Sequence, residues 1–150
     1  MARFIYRMQN ILEIKRKLEE QARMEYGLAR AKLNEEEEKL EQLRRRKADY
    51  EELSRQLLQE TLKLREVREA KEAILRMDEF IERQKQEIRK AEQALEQERI
   101  KLKKAIQERK IHEKLRENAY EEYLLEEKAA ENREIDELTS YTYGQKKSED

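Results

Sequence analysis

The sequence predicts an all-α fold in which two long helices form an antiparallel coiled-coil hairpin. Of its 150 residues, 47% are charged, 37% are hydrophobic and 6% are aromatic, and there is no proline and only two glycines, Gly27 and Gly144. This composition is typical of long helices that bury one narrow apolar stripe, whereas a thick globular core needs more apolar residues. Disorder is the competing interpretation, but a disordered chain has no reason to space its apolar residues at a helical period.

The first predicted helix covers residues 3–64, where apolar residues recur at alternating spacings of three and four, the heptad repeat of a coiled coil. We call the residues at these positions the seam. Twelve of its 18 positions in this stretch are apolar: Ile5, Met8, Leu12, Ala22, Tyr26, Ala29, Leu33, Leu40, Leu43, Tyr50, Leu57 and Leu64. The polar exceptions are Lys15, Glu19, Glu36, Lys47, Ser54 and Thr61. Polar seam residues weaken a coiled coil locally and help to fix its register.

The second predicted helix covers residues 74–138, and its seam is one residue out of step with the first. This second seam contains Val67, Ala70, Ile74, Met77, Ile81, Gln84, Ile88, Ala91, Leu95, Glu98, Leu102 and Ala105. The change of frame predicts a turn at residues 65–73, near the midpoint, so that two arms of similar length cover one another. No glycine or proline marks this turn.

The last third of the chain shows a weaker pattern. Beyond Leu102 the apolar residues drift around the helix, which indicates a stutter in the heptad repeat. These residues are Ile106, Ile111, Leu115, Ala119, Tyr123 and Leu124. Residues 139–150 are rich in polar side chains and are expected to form a flexible tail.

Composition also argues against several classes of function. The 35 basic and 36 acidic residues nearly cancel, so no net field attracts nucleic acid or anionic lipid, and no nucleic-acid partner is expected. No apolar run approaches the roughly 20 residues of a membrane span, which favours a cytoplasmic protein. The tyrosines are candidate anchors for protein partners, with packing in the seam as the alternative for Tyr26 and Tyr50.

Catalytic, cofactor and metal sites are not expected. The chain has no cysteine, and its one histidine, His112, lacks a second imidazole with which to bind a metal, so we interpret it as a helix-surface residue. Two separated glycines cannot form a phosphate-binding loop. Two narrow helices also cannot enclose a pocket in which catalytic groups converge. The sequence therefore predicts a protein that binds other proteins and is not an enzyme.

Four short segments resemble the flagellar FliJ proteins, and they follow the order of that family over nearly the whole chain. These segments are Arg3-Phe4-Ile5-Tyr6, Leu12-Glu13-Ile14-Lys15, Met77-Asp78-Glu79-Phe80-Ile81 and Glu131-Asn132-Arg133-Glu134-Ile135-Asp136-Glu137. The resemblance implies a soluble, non-enzymatic component of the bacterial flagellar type III export apparatus. It also implies a hairpin similar to the central stalk of rotary ATPases.

The resemblance implies two main partners, the hexameric ring of the export ATPase and the cytoplasmic domain of the export gate protein. It also implies that the protein promotes assembly of the ATPase ring and protein export. Export chaperones are a further implied partner. The implied location is the cytoplasm, peripheral to the inner face of the cell membrane at the flagellar base. Contact with the membrane is then made only through the export apparatus.

The resemblance further implies a partner-binding surface near the start of the second helix. Phe80 matches the aromatic residue with which the family's gate-contacting surface begins, and Gln84, Glu87 and Ala91 follow at successive turns. Gln84 and Glu87 depart from the apolar character that the family shows. Phe80 lies outside the seam, where an exposed large apolar side chain is expected to need a partner.

Two other hypotheses remain open from the sequence. The lack of turn residues favours a structural coiled-coil spacer, made when one unbroken helix dimerises in parallel. A general chaperone for export substrates is the second alternative, and it would be favoured if the chain captured export substrates and no ATPase.

Overall fold

The computed structural model describes residues 3–59 and 63–149, without the side chains of 147–149. It contains two helices, α1 (Gln9–Gln59) and α2 (Leu64–Glu149), which pack against each other in opposite directions as a hairpin. The predicted all-α hairpin is confirmed, and the alternative of one unbroken helix is wrong. Within the described ranges, no helix is long and apolar enough to cross a membrane.

The length of the helices follows from the composition. Helix α2 contains 86 residues, and no proline interrupts it. Gly144 lies near its end without breaking it, since a helical glycine costs only about 1 kcal/mol relative to alanine. Tertiary packing along the seam supplies most of the stabilisation of such helices, because isolated helices in water are only marginally stable.

The predicted seam of α1 is confirmed from Leu12 to Leu57, since every predicted position there is buried or half-buried, including the polar ones. Leu12 is completely buried. Ile5 and Met8 are exceptions, with 79% and 40% of their surface exposed. Their assignment to the seam is wrong because α1 begins at Gln9, so the residues before it do not follow helical periodicity.

The predicted turn at residues 65–73 is also wrong, because all of these residues are helical. Helix α2 begins at Leu64, which is 73% exposed and does not belong to the first seam. Val67 and Ala70 are buried in the second seam, so the second frame already governs the first turns of α2. The change from the first seam frame to the second therefore coincides with the break between α1 and α2. Thr61 lies outside the described residues.

Beyond Leu102 the second frame can be followed as far as Tyr123, and the stutter stays a prediction, because the next half-buried residue is Glu127, one position beyond the frame. Arg109, His112, Ala119 and Tyr123 are half-buried at positions of this frame, while Arg116, at the frame position between His112 and Ala119, is exposed. The apolar residues that blurred the pattern, among them Ile111, Leu115 and Leu124, are exposed on other faces of the helix. Polar residues occupy much of the seam here, and this explains why apolar periodicity alone did not reveal it.

The predicted tail at residues 139–150 is helical as far as Glu149. Two threonine hydroxyls donate hydrogen bonds to carbonyl oxygens four residues earlier, Thr139 to Ile135 and Thr142 to Leu138, both at 2.8 Å. These bonds satisfy the hydroxyls within the helix, so the threonines do not compete with its main-chain bonding.

Contacts divide the chain into two units. Unit 1 comprises Met1–Glu19 and Ala105–Asp150, and unit 2 comprises Glu20–Lys104. Unit 1 combines the start of α1 with the second half of α2, and its most buried apolar residue is Leu12. In unit 2 the buried apolar residues are Ala22, Leu33, Val67, Ala70, Met77, Ile81 and Ala91.

Candidate protein-binding surfaces

A polar layer crosses the seam of unit 2. The Gln84 carboxamide donates a hydrogen bond to the main-chain oxygen of Glu36 at 2.9 Å and a second one to its carboxylate. The carboxylate also forms ion pairs with Lys32 at 3.0 Å and Lys39 at 3.3 Å. The hydrogen bonds from Gln84 and then Lys32 lower the pKa of Glu36 to about 2. Glu36 therefore carries a full negative charge at neutral pH although it is only 5% exposed.

The four residues predicted to bind a partner lie on two different faces of α2. Phe80 is 44% exposed, and the guanidinium carbon of Arg83 lies 5.9 Å from the centre of its ring. Glu87 is exposed two turns later and is paired with Lys90 at 3.3 Å. Gln84 and Ala91 lie in the seam instead, where Gln84 bonds to Glu36 and Ala91 is buried. Only Phe80 and Glu87 are thus presented on the outer surface.

A second polar contact joins the helices beside Phe80. The ammonium group of Lys47 lies 2.6 Å from the carboxylate of Asp78, two residues before Phe80. The hydrogen bond to Asp78 raises the pKa of Lys47. This contact and the Glu36 layer, on either side of Phe80 along α2, hold the backbone that presents the ring.

Unit 1 has a charged seam of its own. Arg109 of α2 is paired with Glu19 of α1 and with Glu113, the latter at 2.8 Å. Lys15 and Glu108 form a second pair across the helices at 3.4 Å. Apolar residues would normally fill the seam positions of Lys15, Glu19 and Arg109, so in unit 1 polar contacts add to the apolar packing of Leu12 in matching the helices.

An aromatic cluster lies at the end of the hairpin in unit 1. The ring of Phe4 packs edge-on against Tyr120, with 5.2 Å between centroids, and against Tyr123 at 5.3 Å. The guanidinium carbon of Arg116 lies 5.7 Å from the centre of the Phe4 ring, and the Arg116 Nε donates a hydrogen bond to Gln9 at 3.0 Å. Burial raises the pKa of Tyr123. The cluster attaches the segment before α1 to α2.

Sequence reasoning did not find this cluster. The sequence marks the tyrosines, Tyr120 and Tyr123 among them, as candidate anchors, but no spacing rule connects Phe4 with them, since they meet only when the hairpin brings the two ends of the chain together. Tyr26 and Tyr50 are half-buried at seam positions. Tyr141 is exposed on α2.

His112 is half-buried in the seam, so its interpretation as a surface residue is wrong. The physical reason is its position three residues after Arg109, on the face that packs against α1. Its Nδ1 atom is buried and has no hydrogen-bond partner among the described residues. Within the same residues, no three histidine or carboxylate side chains converge in a way that could hold a metal ion.

Comparison with known proteins gives two matches. The model of the flagellar FliJ protein family matches residues 4–148. The solved structure of a putative YscO homolog, CT670 from Chlamydia trachomatis, superposes with a TM-score of 0.74 at 21% sequence identity, covering 100% of both chains. At this identity the structural likeness shows the fold alone. No curated protein matches the chain.

Proposed function

This chain belongs to the flagellar FliJ family and is therefore a component of flagellar type III export, and from that premise we propose that it is a non-enzymatic stalk of the export apparatus. In this proposal it binds the hexameric ring of the export ATPase, promotes assembly of the ring, and contacts the cytoplasmic domain of the export gate. The observation that carries the proposal is the match of the family model to residues 4–148, combined with an antiparallel hairpin.

The hairpin supports a role that depends on contacts with other proteins. A pair of helices has no layer that could exclude water from converging catalytic groups, so the chain acts on ATP turnover only through the active sites of another protein. Its outer faces carry many ion pairs three or four residues apart, such as Arg99 with Glu96 at 2.6 Å. Exposed pairs of this kind contribute little stability, but they keep a long helical surface soluble until it binds.

The gate-binding surface in this proposal is the face of α2 that begins at Phe80. Phe80 and Glu87 make the contact, because both are exposed and lie two turns apart on one side of the helix. Gln84 and Ala91 contribute from the seam by fixing how α2 sits on α1. A large ring that is nearly half exposed is a typical anchor for a protein partner.

Binding at the gate would place the protein in the cytoplasm, peripheral to the membrane at the flagellar base. Escort of export chaperones belongs to the same proposal and is supported by family membership alone. A general chaperone for export substrates is the alternative class, and it would be favoured if the purified chain captured export substrates but not the ATPase.

The test of the proposal uses the flagellar export ATPase from the same organism, with ATP hydrolysis and ring formation measured at rising concentrations of this chain. Both should increase and reach a plateau as the chain saturates the ring. The matched control is a chain with two charged substitutions in the seam, Leu33→Asp and Met77→Asp, checked by circular dichroism to be unfolded. If neither hydrolysis nor ring formation responds to the folded chain, the stalk function is rejected.

A further inference from the structure

Three arginine side chains lie around the exposed ring of Phe80, and we call them the arginine group. They are Arg46 on α1 and Arg76 and Arg83 on α2, and all three are exposed in unit 2. Arg76 lies four residues before Phe80 and Arg83 lies three residues after it, which places both on the same side of α2 as the ring. The guanidinium carbon of Arg83 lies 5.9 Å from the centre of the ring. The ring therefore has a positive charge about one turn away in each direction along the helix.

Arg46 belongs to the same side of the hairpin, although it is on the other helix. Leu53 of α1 and Ala73 of α2, each one residue before a seam position, line one groove near the turn. Because the helices run in opposite directions, one heptad back along α1 and one heptad forward along α2 lead to the next pair of this kind. That pair is Arg46 and Phe80. The surface around the ring is therefore built by both helices, whereas the resemblance to FliJ proteins implied only the second one.

The arginine group has no carboxylate partner. In the part of the chain that the structure describes, its members form no ion pair and no hydrogen bond. Of the acidic residues within one turn of Phe80, Asp78 and Glu82 are already paired with lysines, at 2.6 Å and 3.3 Å. Glu79 is exposed on the face of α2 opposite the seam, and Asp49 is exposed on the outer side of α1. The three guanidinium groups are therefore available to carboxylates of another molecule.

We propose that Phe80 and the arginine group form one docking surface for an acidic site on the cytoplasmic domain of the export gate, where carboxylates of the gate surround an apolar pocket that takes the ring. This inference rests on the proposed gate contact and adds to it the chemistry of the partner and the contribution of α1. Aromatic and arginine side chains are enriched at the centres of protein interfaces. A guanidinium group binds a carboxylate through two parallel hydrogen bonds, and an unpaired arginine loses no internal ion pair when it does so.

Local charge, rather than the net charge of the chain, provides the attraction. The whole chain carries a formal net charge of −1, which cannot draw it to an acidic site. Glu87 and Lys90, beyond the ring on α2, form an ion pair at 3.3 Å and add no net charge to the surface. Charges at the edge of an interface act mainly on the association rate, and salt screens them beyond about 10 Å at 0.1 M ionic strength. The arginine group should therefore be needed at low salt and matter little at high salt.

Surface plasmon resonance with the purified cytoplasmic domain of the gate, at about 50 mM and about 500 mM NaCl, tests the docking surface. The triple variant with Arg46→Gln, Arg76→Gln and Arg83→Gln should lower the association rate constant about tenfold at the lower salt and less than about twofold at the higher salt. Phe80→Ala should weaken binding at both salt concentrations, because loss of an apolar anchor does not depend on screening. Circular dichroism should show unchanged unfolding for the triple variant, since all three arginines are exposed.

The matched control removes three arginines from the other side of unit 2. It carries Arg44→Gln, Arg68→Gln and Arg89→Gln, so its net charge changes by the same amount, and each of these exposed residues lies one position after a seam residue. The control should keep the association rate of the natural chain within about twofold at both salt concentrations. Equal losses in the two triple variants, or no loss in either, would overturn the proposal and leave the gate contact in place.

Glu79→Gln provides a test of opposite sign. The substitution removes a negative charge next to Phe80, so it should raise the association rate about threefold at the lower salt if the partner is acidic. Glu92→Gln, at an exposed residue one position after the buried Ala91, should leave the rate unchanged. A rate that stays the same or falls with Glu79→Gln would contradict an acidic partner. If the natural chain does not bind the gate domain at all, the gate contact is rejected and the docking surface with it, whereas stimulation of the ATPase is decided by its own assay.

Discussion

Gln84 of α2 donates hydrogen bonds to both the main-chain oxygen and the side-chain carboxylate of Glu36 on α1. A one-residue slip of either helix would separate these groups and leave a buried carboxylate with fewer donors. The alternative alignments of two similar heptad repeats are therefore penalised, while the native one is not. This relationship determines how the helix that carries Phe80 is aligned on its neighbour.

Gln84→Ala should lower the free energy of unfolding by about 1–3 kcal/mol, because it removes two hydrogen bonds to the buried Glu36, whose carboxylate then keeps only its pairs with Lys32 and Lys39. Urea denaturation followed by circular dichroism measures the change. Gln86→Ala is the matched control, since Gln86 is exposed two residues away and should alter stability by about 0.5 kcal/mol or less. Equal effects of the two substitutions would show that the bonds to Glu36 do not stabilise the fold.

The pKa of about 2 at Glu36 predicts a loss of stability in acid. Folding lowers this pKa from about 4.3, the value of a free glutamate. The ionised Glu36 carboxylate therefore contributes fully to the free energy of unfolding above about pH 5, and this contribution disappears as the pH falls toward 2. Glu36→Gln should flatten the fall in unfolding free energy over this range, whereas Glu35→Gln, at an exposed neighbour, should not. Parallel pH curves for the natural chain and Glu36→Gln would contradict the prediction.

Glu19 and Arg109 should behave as a coupled pair. Each is mostly buried, with 9% of the Glu19 side chain and 22% of the Arg109 side chain exposed, so replacing either one alone leaves a charge in the seam. Glu19→Leu and Arg109→Leu should each destabilise by about 2–3 kcal/mol, and the double variant should recover most of that loss because leucine is the usual seam residue. Chemical denaturation of all four chains gives the coupling free energy. Additive losses would show that the pair does not act as a unit.

Much of the fold could be predicted because burial in a two-helix hairpin has one dominant period. The polar positions Glu19, Glu36 and Lys47 were assigned to the seam by frame alone, and all three are buried or half-buried there. The frame failed where apolar character no longer marks the buried face. At Arg109 and His112 the side chains that pack are polar, while Ile111 and Leu115 are exposed.

The position of the turn could not be read from the sequence, because the break between α1 and α2 carries no glycine or proline. The first apolar residue that follows the second heptad frame is Val67, whereas α2 already begins at Leu64. For the candidate surface, spacing along one helix did place Phe80 outside the seam. It could not show that Gln84 is committed to Glu36, since that contact joins residues 48 positions apart.

Phe4→Ala should release the segment that precedes α1. The substitution removes two ring contacts and the contact with Arg116. The amides of Gln9 and Leu12, which donate hydrogen bonds to the carbonyl oxygens of Tyr6 and Met8, should therefore lose protection from hydrogen exchange while the core of unit 2 keeps it. Ile5→Ala is the control, because Ile5 is 79% exposed and should change little. Hydrogen exchange with mass spectrometry resolves these peptides. Unchanged exchange at these two amides would mean that the aromatic cluster does not hold the segment.

Phe80→Ala should weaken binding to the cytoplasmic domain of the export gate about 30-fold, the effect of losing an anchor worth about 2 kcal/mol. The ring is 44% exposed, lies outside the seam and contacts Arg83, so its removal should leave helicity and unfolding free energy nearly unchanged. Leu75→Ala is matched to it, since Leu75 is an exposed apolar residue on α2 five positions earlier.

Isothermal titration calorimetry with the purified gate domain measures whether binding depends on the Phe80 ring, on a diffuse apolar surface or on another part of the hairpin. A loss for Phe80→Ala but not for Leu75→Ala locates the contact at the ring, and Glu87→Ala should then give a smaller loss because Glu87 lies on the same face two turns away. Equal losses for Phe80→Ala and Leu75→Ala would indicate a diffuse apolar surface. Full affinity in all three variants would place the gate contact elsewhere on the hairpin.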